Sequence, residues 1–306
     1  MPITNYDALR ATLEAIEFHT QEKTSVEQLA KQVYLSPSHL QKLFRQVTGQ
    51  SLMDYVRGRK LAHSLYALQK SDLRVIDIAR EYGFEHEQSF ARAFKTEYGC
   101  SPGSARKQKR ILTVRPPVSA DHFSKLEDGI LCKPEIVFFP SISVIGKPYM
   151  LQNFRKEKDG FVPNQLGNDF YYNHMPLVKN AVEPEVYIAY GTSVQEDNRD
   201  VLYMPSVRVR NLSKVPEGLR GEVIPSHVCV KFRYIGEHPY QEISMVVAKE
   251  TYANIAMFFS SQMRYKRAAN WYIERIDTRL YDGTFCQFDW MAPVNDTAIT
   301  GSQSDS

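Results

Sequence analysis

The sequence predicts two domains of different class, an all-α domain built from a duplicated two-helix unit and then an α+β domain. Three observations carry this. A chain of 306 residues is long for a single core. A set of residues recurs at a spacing of about fifty, with Leu40, Phe44, Gly49 and Ser51 returning as Phe90, Phe94, Gly99 and Ser101. Beyond Pro134 the apolar pattern changes from helical to alternating.

In the first copy, "SVEQLAKQV" places Val26, Leu29, Ala30 and Val33 on one helical face, and Ser25 suits the N-cap. "YLSPSH" then predicts a turn in which Ser36 caps the next helix and Pro37 takes its first position, where a missing N–H costs nothing. The second helix turns Leu40, Leu43, Phe44 and Val47 inward, and Gly49 ends it. In the second copy "VIDIAREYGF" is the first helix, and Phe90 and Phe94 anchor the second. Between the copies, "SLMDYVRGRKLAHSLYALQKS" predicts one continuous helix of about 28 Å at 1.5 Å per residue.

The outer faces combine amides with cations: Ser38, Gln41, Lys42 and Arg45 in the first copy, Glu87, Gln88, Arg92 and Lys95 in the second. One such stripe is an ordinary solvated surface, but its duplication points further. Gln and Arg make bidentate contacts to adenine and guanine edges in the major groove, and Lys and Arg ease the approach to phosphates. Helix-turn-helix geometry inserts the second helix into that groove, and two such helices about 34 Å apart read successive turns of a duplex. The connecting helix would set this distance, with Arg57, Arg59 and Lys60 placed to touch the backbone. The charge distribution agrees, because residues 1–112 carry about +5 and the remainder about −2 of a net +3. The basic part ends in "RKQKRILTVRPPVS", where Pro116 and Pro117 interrupt helix and strand alike. The first domain is therefore assigned to residues 1–112 and a linker to 113–133.

The run "IAREYGFEHEQSFARAFKTEYGCSP", with its "IA", "GF", "F" and "FK" elements and closing "G-x-SP", resembles the signature of AraC/XylS transcription regulators. The resemblance covers about residues 5–110. It implies a seven-helix domain that binds double-stranded DNA at degenerate, asymmetric promoter sites and acts as an activator or dual regulator, with RNA polymerase as a partner. Carried over by position, the base-reading residues fall on Ser38, Gln41 and Lys42 and on Glu87, Gln88 and Arg92. Two departures stand out: Ser38 is small where relatives often carry a large contact residue, and Glu87 would repel phosphate.

The second part, residues 134–294, alternates strand-like runs, "PEIVFFPSISVIGK", "EVYIAYG", "SHVCVKFRYIG" and "TFCQFDWMAPV", with one strong helix candidate, "YQEISMVVAKETYANIAMFF". This is an α+β pattern, and residues 295–306 read as a disordered tail. The segments "YMPSVRV", "VPEGLRGEVIPSHVCVKFRYIG", "YIERIDTRLYDG" and "FDWMAPV" resemble the GyrI-like effector-binding domain, and the domain order is that of Rob-like regulators. The resemblance implies two βαββ-like halves around a cleft that takes a small, lipophilic, often cationic effector, with the pocket carboxylate at Glu274.

Glu274 also stands out on its own residues. A strand through "NWYIERIDTR" puts it on the face of Tyr272 and Ile276, where a carboxylate is costly unless paired and its pKa rises. A cationic ligand with aromatic neighbours would supply the partner, as would a salt bridge to Arg275, Arg279 or Lys231. Tyr203, Phe232, Trp271 and Trp290 are the further pocket candidates, though each also suits plain core.

No catalytic residue, metal or cofactor is expected. The sequence has no Gly-rich phosphate loop, GxSxG elbow or HExxH, its eight histidines form no i, i+4 pair, and Cys100, Cys132, Cys229 and Cys286 lack ligand spacing. It has no signal-like apolar core and no apolar run of about 20 residues, so a soluble, cytoplasmic protein is expected. Two other readings remain open. In one, Glu274 is the general base of a GyrI-like hydrolase of reactive electrophiles. In the other, the second domain of a DNA-architectural protein binds another protein.

Overall fold

A computed structural model describes residues 4–108, 111–151, 163–193, 200–240, 243, 245–281 and 283–300. It divides into two compact units, Met1–Phe123 and Ser124–Ser306.

Among the described residues the first unit contains seven α-helices: α1 (Asn5–Phe18), α2 (Val26–Gln32), α3 (Pro37–Thr48), α4 (Leu52–Lys70), α5 (Val75–Glu81), α6 (Glu87–Tyr98) and α7 (Pro102–Gln108). The duplicated unit is α2–α3 and then α5–α6. Ser25 closes a capping box with Gln28, and the Ser36 side chain accepts from the His39 N–H with Pro37 at the helix start. Gly49 and Gly99 end α3 and α6 at φ of 73° and 72°, a conformation that suits glycine in both copies. The copies differ at their starts, because His86 stands at the N-cap of α6 and makes no side-chain capping bond. Leu40, Leu43 and Phe44 are buried in the first copy. Phe90 and Phe94 of the second pack with Ile78, Ala79 and Leu61, Leu65 and Leu68 of α4. Helix α4 is continuous over 19 residues, about 28 Å.

The second unit is built on a 12-stranded sheet. Its strands are β1 (Phe123–Leu126), β2 (Gly129–Cys132), β3 (Glu135–Phe139), β4 (Ile142–Gly146), β5 (Tyr149–Leu151), β6 (Val186–Ser193), β7 (Val201–Val209), β8 (Arg220–Ile224), β9 (His227–Gly236), β10 (Tyr265–Arg267), β11 (Trp271–Asp277) and β12 (Cys286–Asp296). Helices α8 (Pro163–Asp169), α9 (Met245–Ser261) and α10 (Thr297–Thr300) complete it. The central order is β9-β12-β11-β6-β7-β4. It resolves into two βαββ sets, β4-α8-β6-β7 and β9-α9-β11-β12, each with its last strand in the middle. The two sets meet at an antiparallel seam between β11 and β6.

Residues 113–133 hold β1 and β2, whose Phe123, Leu126, Ile130 and Leu131 are buried, so sheet structure begins ahead of the expected residue 134. At the far end β12 runs to Asp296 and α10 follows, while 301–306 of the expected tail lie outside the described residues. Alternation separates the two faces of β9. Val230, Phe232 and Tyr234 join a core cluster with Trp290, and Cys229 joins another with Trp271. The four cysteines are thiols rather than disulfides. Among the described residues no helix is long and apolar enough to cross a membrane.

Candidate nucleic-acid interface and buried carboxylate

Helix α3 holds Ser38, Gln41 and Arg45 exposed and Lys42 half-buried, and α6 holds Glu87, Gln88, Arg92 and Lys95 exposed. These positions lie opposite the buried Leu40, Leu43 and Phe44 in one copy and Phe90 and Phe94 in the other. Arg45, Arg92 and the exposed Arg57 of α4 line a single cavity of about 850 Å³.

Lys60 and Arg59 differ from expectation, since both are buried and neither is presented to a phosphate. The Lys60 ammonium donates to the Glu22 carbonyl at 2.5 Å, and burial lowers its pKa. It also sits where a Cβ on Gly83 would lie 2.7 Å away, so this charge joins the loop before α2 to the turn of the second copy. Arg59 makes a two-pronged pair with Glu17 at 2.6 and 2.8 Å.

In the second unit Glu274 lies in β11, 9% exposed, across the seam from Ala189 and across β12 from Trp290. Among the described residues its partners are two phenols: Tyr252 of α9 donates at 2.9 Å and Tyr203 of β7 at 3.1 Å. Tyr203 in turn stands 3.0 Å from the Tyr187 hydroxyl. A carboxylate only accepts, so the chain runs from Tyr187 to Tyr203 to Glu274. Burial pushes the Glu274 pKa up to about 6, against the pull of Tyr252 and Tyr203. Burial, followed by the Glu274 charge, pushes both phenols well above their usual range.

The cations that would have made Glu274 an ordinary ion pair are engaged elsewhere. Lys231 pairs with Glu135 at 2.7 Å, and Arg275 and Arg279 pair with Asp277 at 3.1 and 2.8 Å. The aromatic surroundings are close. Tyr272 stacks on Trp290 with centroids 5.7 Å apart, and Phe232 and Tyr252 stand edge-on to the same indole. The Trp290 indole N–H is buried without a hydrogen-bond acceptor among the described residues. On the seam strand, Gly191 lies under the Tyr272 ring, where a Cβ would come within 2.1 Å of Cζ.

Four of the five residues expected at this site, Glu274, Tyr203, Phe232 and Trp290, are on one face. Trp271 is not: it packs with Ile273 and Met291 on the opposite face, as alternation along β11 requires. Sequence reasoning missed Tyr252 and Tyr187. Tyr252 precedes the buried Ile255 by three residues on α9, so helical spacing was the available signal.

Two helix-turn-helix units on either end of one long helix define a double helix-turn-helix protein. Residues 29–108 match the family described as "Helix-turn-helix domain". The chain is 33% identical over 104 residues to the multiple antibiotic resistance protein MarA of Salmonella typhimurium, which covers 33% of this chain and 82% of that one. It is 32% identical over 121 residues to the Right origin-binding protein of Escherichia coli K12, which covers 39% of this chain. The chain spans 42% of the length of that second relative. A solved AraC-type DNA-binding regulator from Chromobacterium violaceum is 22% identical over 33% of this chain and 91% of that one, with a TM-score of 0.32. The chain belongs to the AraC/XylS family of transcriptional regulators.

Proposed function

We propose that this chain is a sequence-specific transcriptional regulator that reads duplex DNA with α3 and α6 and answers to a lipophilic, cationic small molecule bound at Glu274. It acts as an activator through RNA polymerase, and its second unit is a GyrI-like effector domain. The observation that carries the DNA reading is the repeated placement of amide and cation side chains outside two helices that end and pack alike. The effector reading rests on a buried carboxylate whose partners are neutral phenols, set beside stacked aromatic rings and an indole N–H that has no acceptor among the described residues. A cation would supply the missing counter-charge, and the neighbouring rings would add cation–π attraction of the kind Trp290 already gives Arg267, whose guanidinium stands 5.9 Å from the indole centroid.

The DNA reading is tested with duplexes that the wild type selects from a random pool. Arg92→Ala and Lys42→Ala are each expected to weaken specific binding by about 1–3 kcal/mol for every base edge no longer recognised, with the fold intact. Arg74→Ala, at the start of α5 and paired with Asp77, should cost far less. Equal small losses at all three positions would reduce the charges to a non-specific role.

Calorimetric titration with a cation and a neutral molecule of the same shape tests the second unit. Glu274→Gln keeps the size and one acceptor oxygen but removes the charge and puts an N–H donor against one of the two phenols, which must then accept instead of donate. The wild type's preference for the cation should disappear while DNA binding without ligand persists. Because the folded pKa is raised to about 6, the ionised fraction falls roughly tenfold between pH 7 and pH 5, and cation affinity should fall with it. A preference that survives in Glu274→Gln would refute the counter-charge role. Recovery of the ligand unchanged separates sensing from hydrolysis with Glu274 as base.

A further inference from the structure

The segment after α7 is tied across the first unit at several points. Leu112 packs against the core of the second copy. The Arg115 carbonyl accepts from Nη1 of the buried Arg59 at 2.9 Å, and the Val118 N–H donates to the Tyr55 hydroxyl at 3.0 Å. Between these ties stand Pro116 and Pro117, whose φ angles are fixed and which carry no N–H. The strap therefore holds the backbone of residue 115 beside α4 and sends its guanidinium to Glu97 of α6, 2.9 Å away.

Arg115 lines the same cavity of about 850 Å³ as Arg45 of α3, Arg57 of α4 and Arg92 of α6. Its two carboxylates are Asp54, already held by Arg57, and Glu97, held by Arg115. Arg45 and Arg92 have no carboxylate partner among the described residues. The cavity thus presents four guanidiniums with surplus positive charge, and it opens between the two copies. Arg115 is 74% exposed while Glu97 is 19% exposed, so its charge faces solvent from the mouth of the cavity.

We propose that Arg115, outside both helix-turn-helix units, is a further DNA-contacting residue that grips a backbone phosphate where the duplex passes between α3 and α6. This rests on the reading of those two helices as the DNA-facing ones. Phosphate is the occupant the charge selects, because guanidinium binds it with two parallel N–H donors. Glu97 takes Nε and one N–H of Nη2, at 2.9 and 3.2 Å, which leaves the outer N–H groups of the 74% exposed guanidinium to donate to a phosphate. The strap's ties to Arg59 and Tyr55 fix the backbone in advance, so little ordering is left for the moment of binding.

The test uses the full chain and a labelled mixed-sequence duplex of about 30 base pairs, with affinity followed by anisotropy between about 50 and 200 mM salt. Arg115→Ala and Arg115→Gln should each lower the slope of log affinity against log salt by about 0.9, the value of one phosphate, and Arg115→Lys should keep it. The same drop is expected when Arg115→Ala is made in a Glu97→Gln background. An unchanged slope in the alanine and glutamine variants overturns the proposal. So does a drop that vanishes once Glu97 is neutral, which would make Arg115 a mask for that carboxylate. Lys95→Ala, an exposed cation of α6 outside the base-reading positions, keeps the two failures apart on the same duplex. A flattened slope there with none at Arg115 removes the strap contact and leaves α6 in place, whereas no change at either position removes both.

Discussion

Raising salt from 50 to 200 mM should weaken binding of this chain to duplex DNA by about 10³–10⁵-fold. Lys42, Arg45, Arg57, Arg92 and Lys95 lie on the proposed interface, and Arg115 adds a sixth cation from the strap. Each neutralised phosphate releases condensed counterions at a slope of about 0.9, so six contacts place the loss near the lower end, about 10³. Glu87 shares α6 with two of these cations and does not contribute. Titration of a labelled duplex at four salt concentrations measures the slope. A loss below about tenfold would mean that fewer than two phosphates are engaged and that the interface lies elsewhere.

Phe94→Ala should destabilise the first unit by about 3–5 kcal/mol. The ring is fully buried, stands 5.7 Å from Phe90 and 4.8 Å from Tyr98, and fills the space between α4, α5 and α6. The three helices that meet there hold that space open, so the cavity would not collapse. Lys95→Ala, one residue on and exposed, should change stability by no more than about 0.5 kcal/mol. Hydrogen exchange of the α4–α6 amides reads this unit separately from the sheet. A cost at Phe94 as small as that at Lys95 would contradict the packing described for the second copy.

The duplicated copies were legible because apolar phase and terminal glycines agreed in both and caps agreed in the first, and each of those signals is local. Helix α4 was legible as a helix but not in its burial. It is covered on several sides, burying Tyr55, Arg59, Lys60, Leu61 and Ser64 together, so it has no single apolar stripe to read. A lysine is expected outside, and the partner that holds Lys60 inside is a backbone carbonyl, which no side-chain pattern reveals. At Glu274 the strand and its face followed from alternation, and the same alternation excluded Trp271. Tyr252 was a different matter, since it comes from α9 and meets Glu274 only after the strand order is set. The strands at 123–132 are short and share their stretch with charged residues, so a pattern search has little to grip.

The glycine beneath the Tyr272 ring bears on how the two βαββ sets find each other. Alternation forbids a slip of one residue at the seam, because it would turn every side chain of a strand over, but it says nothing against a slip of two. Moving β6 by two would bring Ala189 or Ser193 under Tyr272 in place of Gly191. Either residue brings a Cβ into space that the ring already fills. A missing side chain thus works as a key, admitting one alignment out of those the pleat would tolerate, and that alignment is the one in which Glu274 faces Ala189 and comes within reach of Tyr203.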